Sequence, residues 1–257
     1  LGPVNIYTAF FMPESMYFFV FWVFTWFFLR TIRQQGIFQW MLLGILLGLA
    51  ALVKPHAIFL LPALAALFII FSRQGGDVSA SRKVSLYAVF FAAAIATKFG
   101  IGFLLAGKPG LTILGTSYTT LASKSMTDPS QYSKLALLVL ENLRGHLLAI
   151  ALLFSVPMAQ ALLSFKYFFQ KHDAQDASIP LKLYAATVFA VLLGVVTLFT
   201  ASVAGSGPFE TIARLHMRYY SFAFPLLLLV AASQLSPDAA VSVRRWRAIV
   251  AIPVGVA

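Results

Sequence analysis

Residues 37–71, IFQWMLLGILLGLAALVKPHAIFLLPALAALFIIF, decide the fold. Apart from Gln39, Lys54 and His56 the stretch is apolar throughout. As one helix it would run about 52 Å at 1.5 Å per residue, too long for a hydrocarbon core of about 30 Å. Lys54-Pro55 divides it, because proline removes a backbone donor and disfavours helix in the residue before it. The sequence predicts a tight helical hairpin, 37–53 and 57–71, with Lys54 and His56 at its tip. Gly44 and Gly48 form a GxxxG pattern in the first arm, which permits close approach by another helix. Plain packing is its favoured reading.

The whole chain is built in the same style. Of its 257 residues 60% are apolar and 11% charged, against about 25% charged in an average soluble domain. So few polar groups cannot cover a soluble globule of this size. That excludes an ordinary soluble domain and a disordered chain, and the absence of cysteine excludes a disulfide scaffold. The expectation is an all-α polytopic membrane protein. Its spans fall at 12–29, 37–53, 57–71, 85–106, 147–165, 183–204 and 219–234, about seven in all, with an eighth starting near Ala248. A single, partial transmembrane domain over 1–257 is expected, with a long external loop at 107–134. The chain starts at Leu1 and stops within an apolar run, and is read as a piece of a longer protein.

The net charge is +11, from 19 Lys+Arg against 8 Asp+Glu. In a soluble protein that would suggest nucleic acid; here it is read through the positive-inside rule, and no nucleic-acid partner is expected. With the loop after the first span in the cytoplasm, the inside loops collect Arg30 and Arg33, then Arg73, Arg82 and Lys83. They go on to collect Lys166, Lys171 and Lys182, then Arg244, Arg245 and Arg247. Glu14, Asp128, Glu141 and Glu210 fall outside, as do His56, His146 and His216. Polar chemistry therefore collects at the external face.

Five positions stand out there. Glu14 follows Pro13 at the start of the first span, where a carboxylate suits the helix dipole; it is either a simple N-terminal acid or an acid facing an external cavity. Lys54 either snorkels to the headgroups or aims a cation at an anionic ligand, with His56 beside it. Arg214 and Arg218 are four apart and share a face if the segment is helical, a spacing that suits a phosphate gripped by two guanidiniums. His216 lies between them, and the alternative is an interfacial belt with Tyr219 and Tyr220. Lys98 lies about two turns inside the fourth span, where a charge costs about 2.5–3.5 kcal/mol. It must snorkel, pair or line a wet cavity, and Glu141 is a candidate partner. Pro225 is expected to kink the seventh span.

The segment Ser133 to His146 reads as an amphipathic helix lying on the bilayer before the fifth span. Several apparent motifs fail. GFLLAGK at 102–108 resembles a phosphate loop but is followed by Pro109 and belongs to a membrane helix. No metal-ligand spacing and no nucleophile motif is present, and no cofactor is called for.

Three stretches together resemble the GT-C membrane glycosyltransferases, near their protein mannosyltransferase and aminoarabinose transferase branch. They are MPESMYFFVFWVFTWFFLR at 12–30, GILLGLAALVKPHAIFLLPAL at 44–64, and RLHMRYYSFAFPLLLL at 214–229. The resemblance covers 10–72 and 210–235; the middle is supported by span count alone. It implies an enzyme that takes a sugar from a polyprenyl-phosphate carrier and passes it to a lipid, glycan or protein acceptor. The reaction would take place on the external face of a membrane, in a bacterium the inner one. It implies that Glu14 is a secondary acid, orienting the acceptor or assisting proton transfer. The family's main catalytic Asp would lie in a loop ahead of Leu1. It further implies that Lys54, Arg214, His216 and Arg218 hold the carrier phosphate, while His56 and Lys98 are candidates for the cavity.

Two other readings compete. A transporter also buries charges and breaks helices, but is expected to show internal repeats and midplane polar groups; no repeat is seen here, and most polar groups sit at one face. A non-catalytic membrane subunit predicts that Glu14, Lys54, Arg214 and Arg218 are each dispensable beyond stability.

Overall fold

The computed structural model describes residues 13–32, 36–74, 79–113, 130–163, 178–204, 211–212 and 215–233. Among these there is no strand, and nearly all the backbone is helical. The all-α class follows from the solvent: a bilayer offers no partner for a backbone N–H or C=O, so a spanning segment must bond within itself. Three helical stretches are long and apolar enough to cross a membrane, Ala80–Ala106, Ser133–Ala159 and Ile179–Val203. Ile37–Val53 and Pro55–Phe71 are apolar but shorter. The eighth span expected near Ala248 lies outside the described residues, as does most of the loop at 107–134.

By packing, the chain forms two compact units, Leu1–Lys124 and Ser125–Ala257. In the first, α1 (Pro13–Thr31) and α2 (Ile37–Val53) pack together, and α2 ends where the sequence predicts. Lys54 is extended (φ −138°, ψ 115°), pushed there by Pro55, which opens a 3-10 turn at Pro55–Phe59 before α3 (Leu60–Gln74). The two arms do not pack backbone to backbone and touch through long side chains: Trp40 of α2 lies edge-on to Phe68 of α3 at 5.6 Å between ring centres.

Helix α4 (Ala80–Ile95) is capped by Ser79, whose hydroxyl accepts from the Arg82 N–H. It makes the most extensive helix contact of the unit, against α2. The GxxxG pair is the reason. A side chain at Gly44 would strike the Phe90 carbonyl and, at 2.8 Å, the Ala93 methyl; one at Gly48 would meet the Thr97 side chain at 2.5 Å. Close backbone approach without a Cβ is what small residues supply in apolar helix pairs. Beyond Ile95 the helix loosens into a π-turn, Ala96–Ile101, then resumes as α5 (Gly102–Ala106). The GFLLAGK run is thus helical. It reverses at Gly107 (φ 64°) into a 3-10 turn, Lys108–Leu111, that packs back by Gly110 against Gly102.

In the second unit the amphipathic segment is not a separate surface helix. It is the first part of α6 (Ser130–Leu163), because nothing but Gly145 interrupts helix there. The break comes later: Phe154 leaves helical geometry (φ −134°, ψ 40°) three residues before Pro157, whose missing N–H and ring displace the preceding turn. Helix α7 (Ser178–Val203) is the central helix of the unit, burying far more of its apolar length than α6. Its buried hydroxyls at Thr187, Thr197 and Thr200 donate to the carbonyls of Leu183, Leu193 and Val196. Lys182, expected in an inside loop, sits in the second turn of α7 and is buried. The seventh span is shorter than expected. A 3-10 turn at Met217–Tyr220 leads to α8 (Phe224–Ala232). Pro225 starts α8 rather than kinking it, since the first helical turn needs no donor there.

Gly48→Leu or Gly44→Leu lowers unfolding stability by about 1–3 kcal/mol, the usual penalty of overpacking. Gly194→Ala on α7, whose new Cβ meets nothing within 4 Å, raises it by about 0.5–1 kcal/mol by stiffening the unfolded chain and the helix. Thermal unfolding in detergent micelles reads both, and an unperturbed Gly48→Leu protein sinks the close contact of α2 with α4.

Candidate functional site

The first unit gathers polar groups where α1 begins and α2 ends. Pro13 opens α1 and places Glu14 in its first turn, where the unpaired N–H groups favour a carboxylate. The Pro55 break turns Lys54 toward it. The ammonium donates to Glu14 Oε1 at 2.8 Å, with the two side chains 12% and 18% exposed. Lys54 is therefore neither a snorkelling lysine nor an uncommitted cation: an anion arriving here must share the ammonium with Glu14. One turn along α1, the Tyr17 ring is buried and meets the His56 imidazole edge-on at 5.1 Å. Glu14, Tyr17, Lys54 and His56 thus form one partly buried cluster at the break, offering a carboxylate, an ammonium, a phenol and an imidazole. Such a set can orient a hydroxyl and hold a negative charge at once.

Lys98 is not part of that cluster. No hydrogen bond or ion pair joins it to any described residue, and Glu141, its candidate partner, is exposed on α6. Lys98 is carried by the π-turn and is 6% exposed.

In the second unit, the α6 face carrying Asn142, Gly145 and His146 packs on the chain that leads into α8. The Asn142 amide donates to the Ile212 carbonyl at 2.7 Å. A Cβ at Gly145 would lie 3.3 Å from Leu215, and the fully buried His146 ring lies 5.5 Å from the fully buried Tyr220 ring. Both ring nitrogens of His146, the Tyr220 hydroxyl and Asn142 Oδ1 are buried with no hydrogen-bond partner among the described residues. His216 is also buried, between the Phe199 and Tyr219 rings.

Arg218 does not join them. It is exposed, its guanidinium 5.3 Å from the centre of the Tyr219 ring. The shared-face argument for Arg214 and Arg218 fails on the backbone, since residues 215–216 are not helical and Arg218 lies in a 3-10 turn. Arg214 lies outside the described residues. The interfacial tyrosine belt also divides, with Tyr220 turned inward and Tyr219 paired with Arg218. Among the described residues no three His, Cys, Asp or Glu side chains come together as a metal set.

Sequence reasoning reached Glu14, Lys54, His56, His216 and Arg218 but passed over Tyr17, Asn142, His146 and Tyr220 as site groups. The signal for two of these was present: Asn142 and His146 are four apart, two polar side chains on one face of the helix. The Tyr17–His56 contact needs the α1–α2 packing and has no local signature.

Glu14→Ala or Lys54→Ala each costs about 1–3 kcal/mol of stability, because each leaves a half-buried charge alone. The double variant loses less than the sum of the two, and a double-mutant cycle on thermal unfolding measures the difference. Strict additivity overturns the pair.

Residues 3–124 match the family model for dolichyl-phosphate-mannose-protein mannosyltransferases, a segment just under half of the chain. No curated protein and no solved structure matches the chain. The matched segment contains Glu14, Tyr17, Lys54, His56 and Lys98 and ends before α6, so the Asn142, His146 and Tyr220 cluster lies beyond it. Over residues 3–124 the chain is similar to a family of membrane glycosyltransferases, and the GT-C resemblance read from its motifs holds for that segment.

Proposed function

We propose that the chain is the membrane part of a glycosyltransferase that takes a sugar from a polyprenyl-phosphate carrier. The acceptor is a lipid, glycan or protein, and transfer takes place on the external face of the membrane, in a bacterium the inner one. The observation that carries the reading is the Glu14–Lys54 pair, half-buried at a helix break inside the matched segment. In such a transfer the sugar C1–O bond to the phosphate breaks and a bond from C1 to the acceptor atom forms. The acceptor gives up a proton and the carrier leaves as a phosphate. The reaction needs a group that orients the acceptor and a cation at the departing phosphate.

Glu14 takes the first role, as a secondary acid that orients the acceptor or assists its proton transfer. Lys54, paired with Glu14, takes the second. His56, packed on Tyr17, is proposed to line the cavity beside them. Arg214, His216 and Arg218 are proposed as further phosphate contacts, with Arg218 exposed beside Tyr219. No cofactor enters this scheme.

The test is sugar transfer from a polyprenyl-phosphate sugar by the full-length protein in proteoliposomes, normalised to folded protein. Lys54→Ala and Glu14→Ala are expected to cut turnover by about a hundredfold, as loss of a positioned charge does. Arg218→Ala raises the KM for the donor with less effect on kcat. The exchanged pair, E14K with K54E, recovers stability without recovering turnover. Unchanged transfer in all four proteins removes the assignment, and solute flux without transfer puts a transporter in its place.

A further inference from the structure

We infer that the Glu14–Lys54 ion pair is an autoinhibitory contact: a phosphate arriving at Lys54 displaces the Glu14 carboxylate, so that the acceptor-orienting acid is released only when the donor is in place. The inference rests on the transfer reading for what Glu14 does once released; the competition for Lys54 concerns binding alone.

The first argument is occupancy. The Lys54 ammonium donates to Glu14 Oε1 at 2.8 Å, and both side chains are largely covered. Covered charges attract more strongly than exposed ones, because water and salt screen them less. The cation assigned to the departing phosphate is therefore already engaged, by the acid assigned to the acceptor. A phosphate at the same ammonium stands close to the carboxylate, and two anions so near repel. Ion pair and bound phosphate thus oppose each other, and whatever strengthens the one weakens the apparent affinity of the other.

The second argument is which group moves. The Lys54 backbone is pinned on both sides. Its N–H donates to the Ala50 carbonyl at 2.9 Å, and its carbonyl accepts from the Ala57 N–H at 3.0 Å. The ammonium, by contrast, rides a flexible four-carbon stem. Glu14 stands in the first turn of α1, where unpaired backbone N–H groups favour a carboxylate whether or not a cation faces it. An exchange of partners therefore needs only side-chain rotation, with no helix displaced. It leaves Glu14 with a second source of stabilisation.

The third argument is where the acid is left. One turn along α1, the buried Tyr17 ring meets His56 edge-on at 5.1 Å. The Glu14 oxygen that accepted from Lys54 becomes open to an acceptor hydroxyl beside that pair. Donor binding then precedes productive acceptor binding, and the acid stays masked in its absence.

The test uses the full-length protein in detergent micelles and reads the affinity for undecaprenyl phosphate, with undecaprenol as the same tail without phosphate. Lys54→Gln is expected to weaken binding of the phosphate lipid about tenfold, as loss of a charged hydrogen bond implies. Glu14→Gln, which keeps the shape and drops the charge, is expected to bind it about three- to tenfold tighter than wild type, the weight of a partly covered ion pair. The double variant is expected to bind no better than Lys54→Gln alone, because the gain passes through Lys54. In the transfer assay Glu14→Gln lowers kcat and the donor KM together, a split that a merely structural role does not produce. Glu14→Asp keeps the charge but draws it back by one methylene; it is expected to bind about twofold tighter, and decides the matter if Glu14→Gln does not fold. The inference falls if folded Glu14→Gln, or Glu14→Asp in its place, binds undecaprenyl phosphate no tighter than wild type. It also falls if the gain survives in the double variant or appears equally with undecaprenol. No binding by wild type removes the transfer reading and the inference with it. A weakened Lys54→Gln beside an unchanged Glu14→Gln removes the inference alone.

Discussion

A backbone in an apolar solvent must satisfy its own hydrogen bonds, and the rest of this structure follows from that constraint. It makes the chain helical, and it makes each departure from regular helix costly. Such departures are few among the described residues, and polar side chains gather at them. Lys54 and His56 flank the Pro55 turn, Lys98 rides the π-turn, and His216, Arg218 and Tyr220 occupy the 3-10 turn before α8. The Phe154 kink is the exception: its stacked partner is Phe224, and it serves packing alone. Where a helix breaks, backbone groups and side chains can share partners, so a site and a break lower each other's cost.

The Glu14–Lys54 pair shows how the constraint is met by ordinary parts. Pro13 starts one helix and Pro55 stops another, each by its fixed φ and missing donor. The acid and the cation arrive at the same place because α1 and α2 pack side by side. At 12% and 18% exposure the pair is screened less than a surface bridge. Each charge answers the other's desolvation.

Much of this was legible in the sequence. Composition forced the membrane class, and Lys54-Pro55 fixed the break after Val53, because proline acts locally and without regard to tertiary context; the second arm, expected at 57–71, runs Leu60–Gln74 because a 3-10 turn takes up Pro55–Phe59. Helix α2 matches the expected 37–53 at both ends. Two of the errors share one cause. The reading of 133–146 as a surface helix and of Arg214 and Arg218 as one face both assumed regular geometry where polar residues interrupt apolar ones. In α6 Asn142 and His146 are buried while Ser133, Lys134, Glu141 and Arg144 are exposed, and the helix runs through the segment without a break there. Before α8 the backbone leaves the α-helix, and Arg218 and Tyr220 point to different surroundings although two residues apart. Polarity along the chain marks where chemistry collects; whether it faces solvent or core is settled by packing that no local pattern encodes.

The GxxxG contact ties packing to the second cation. Gly44 and Gly48 bring α2 so close to α4 that Phe90, Ala94 and Thr97 seat directly on its backbone. Thr97 is thereby fixed, and the next residue must point about 100° away around the helix, to whatever lies off the α2 face. That next residue is Lys98. A regular helix would set its direction by sequence alone, while the π-turn widens the path and adjusts it. The small residues of one helix therefore decide where a charge on another is aimed. A motif read as plain packing is plain packing, and through it the position of Lys98 depends on two glycines that carry no chemistry of their own.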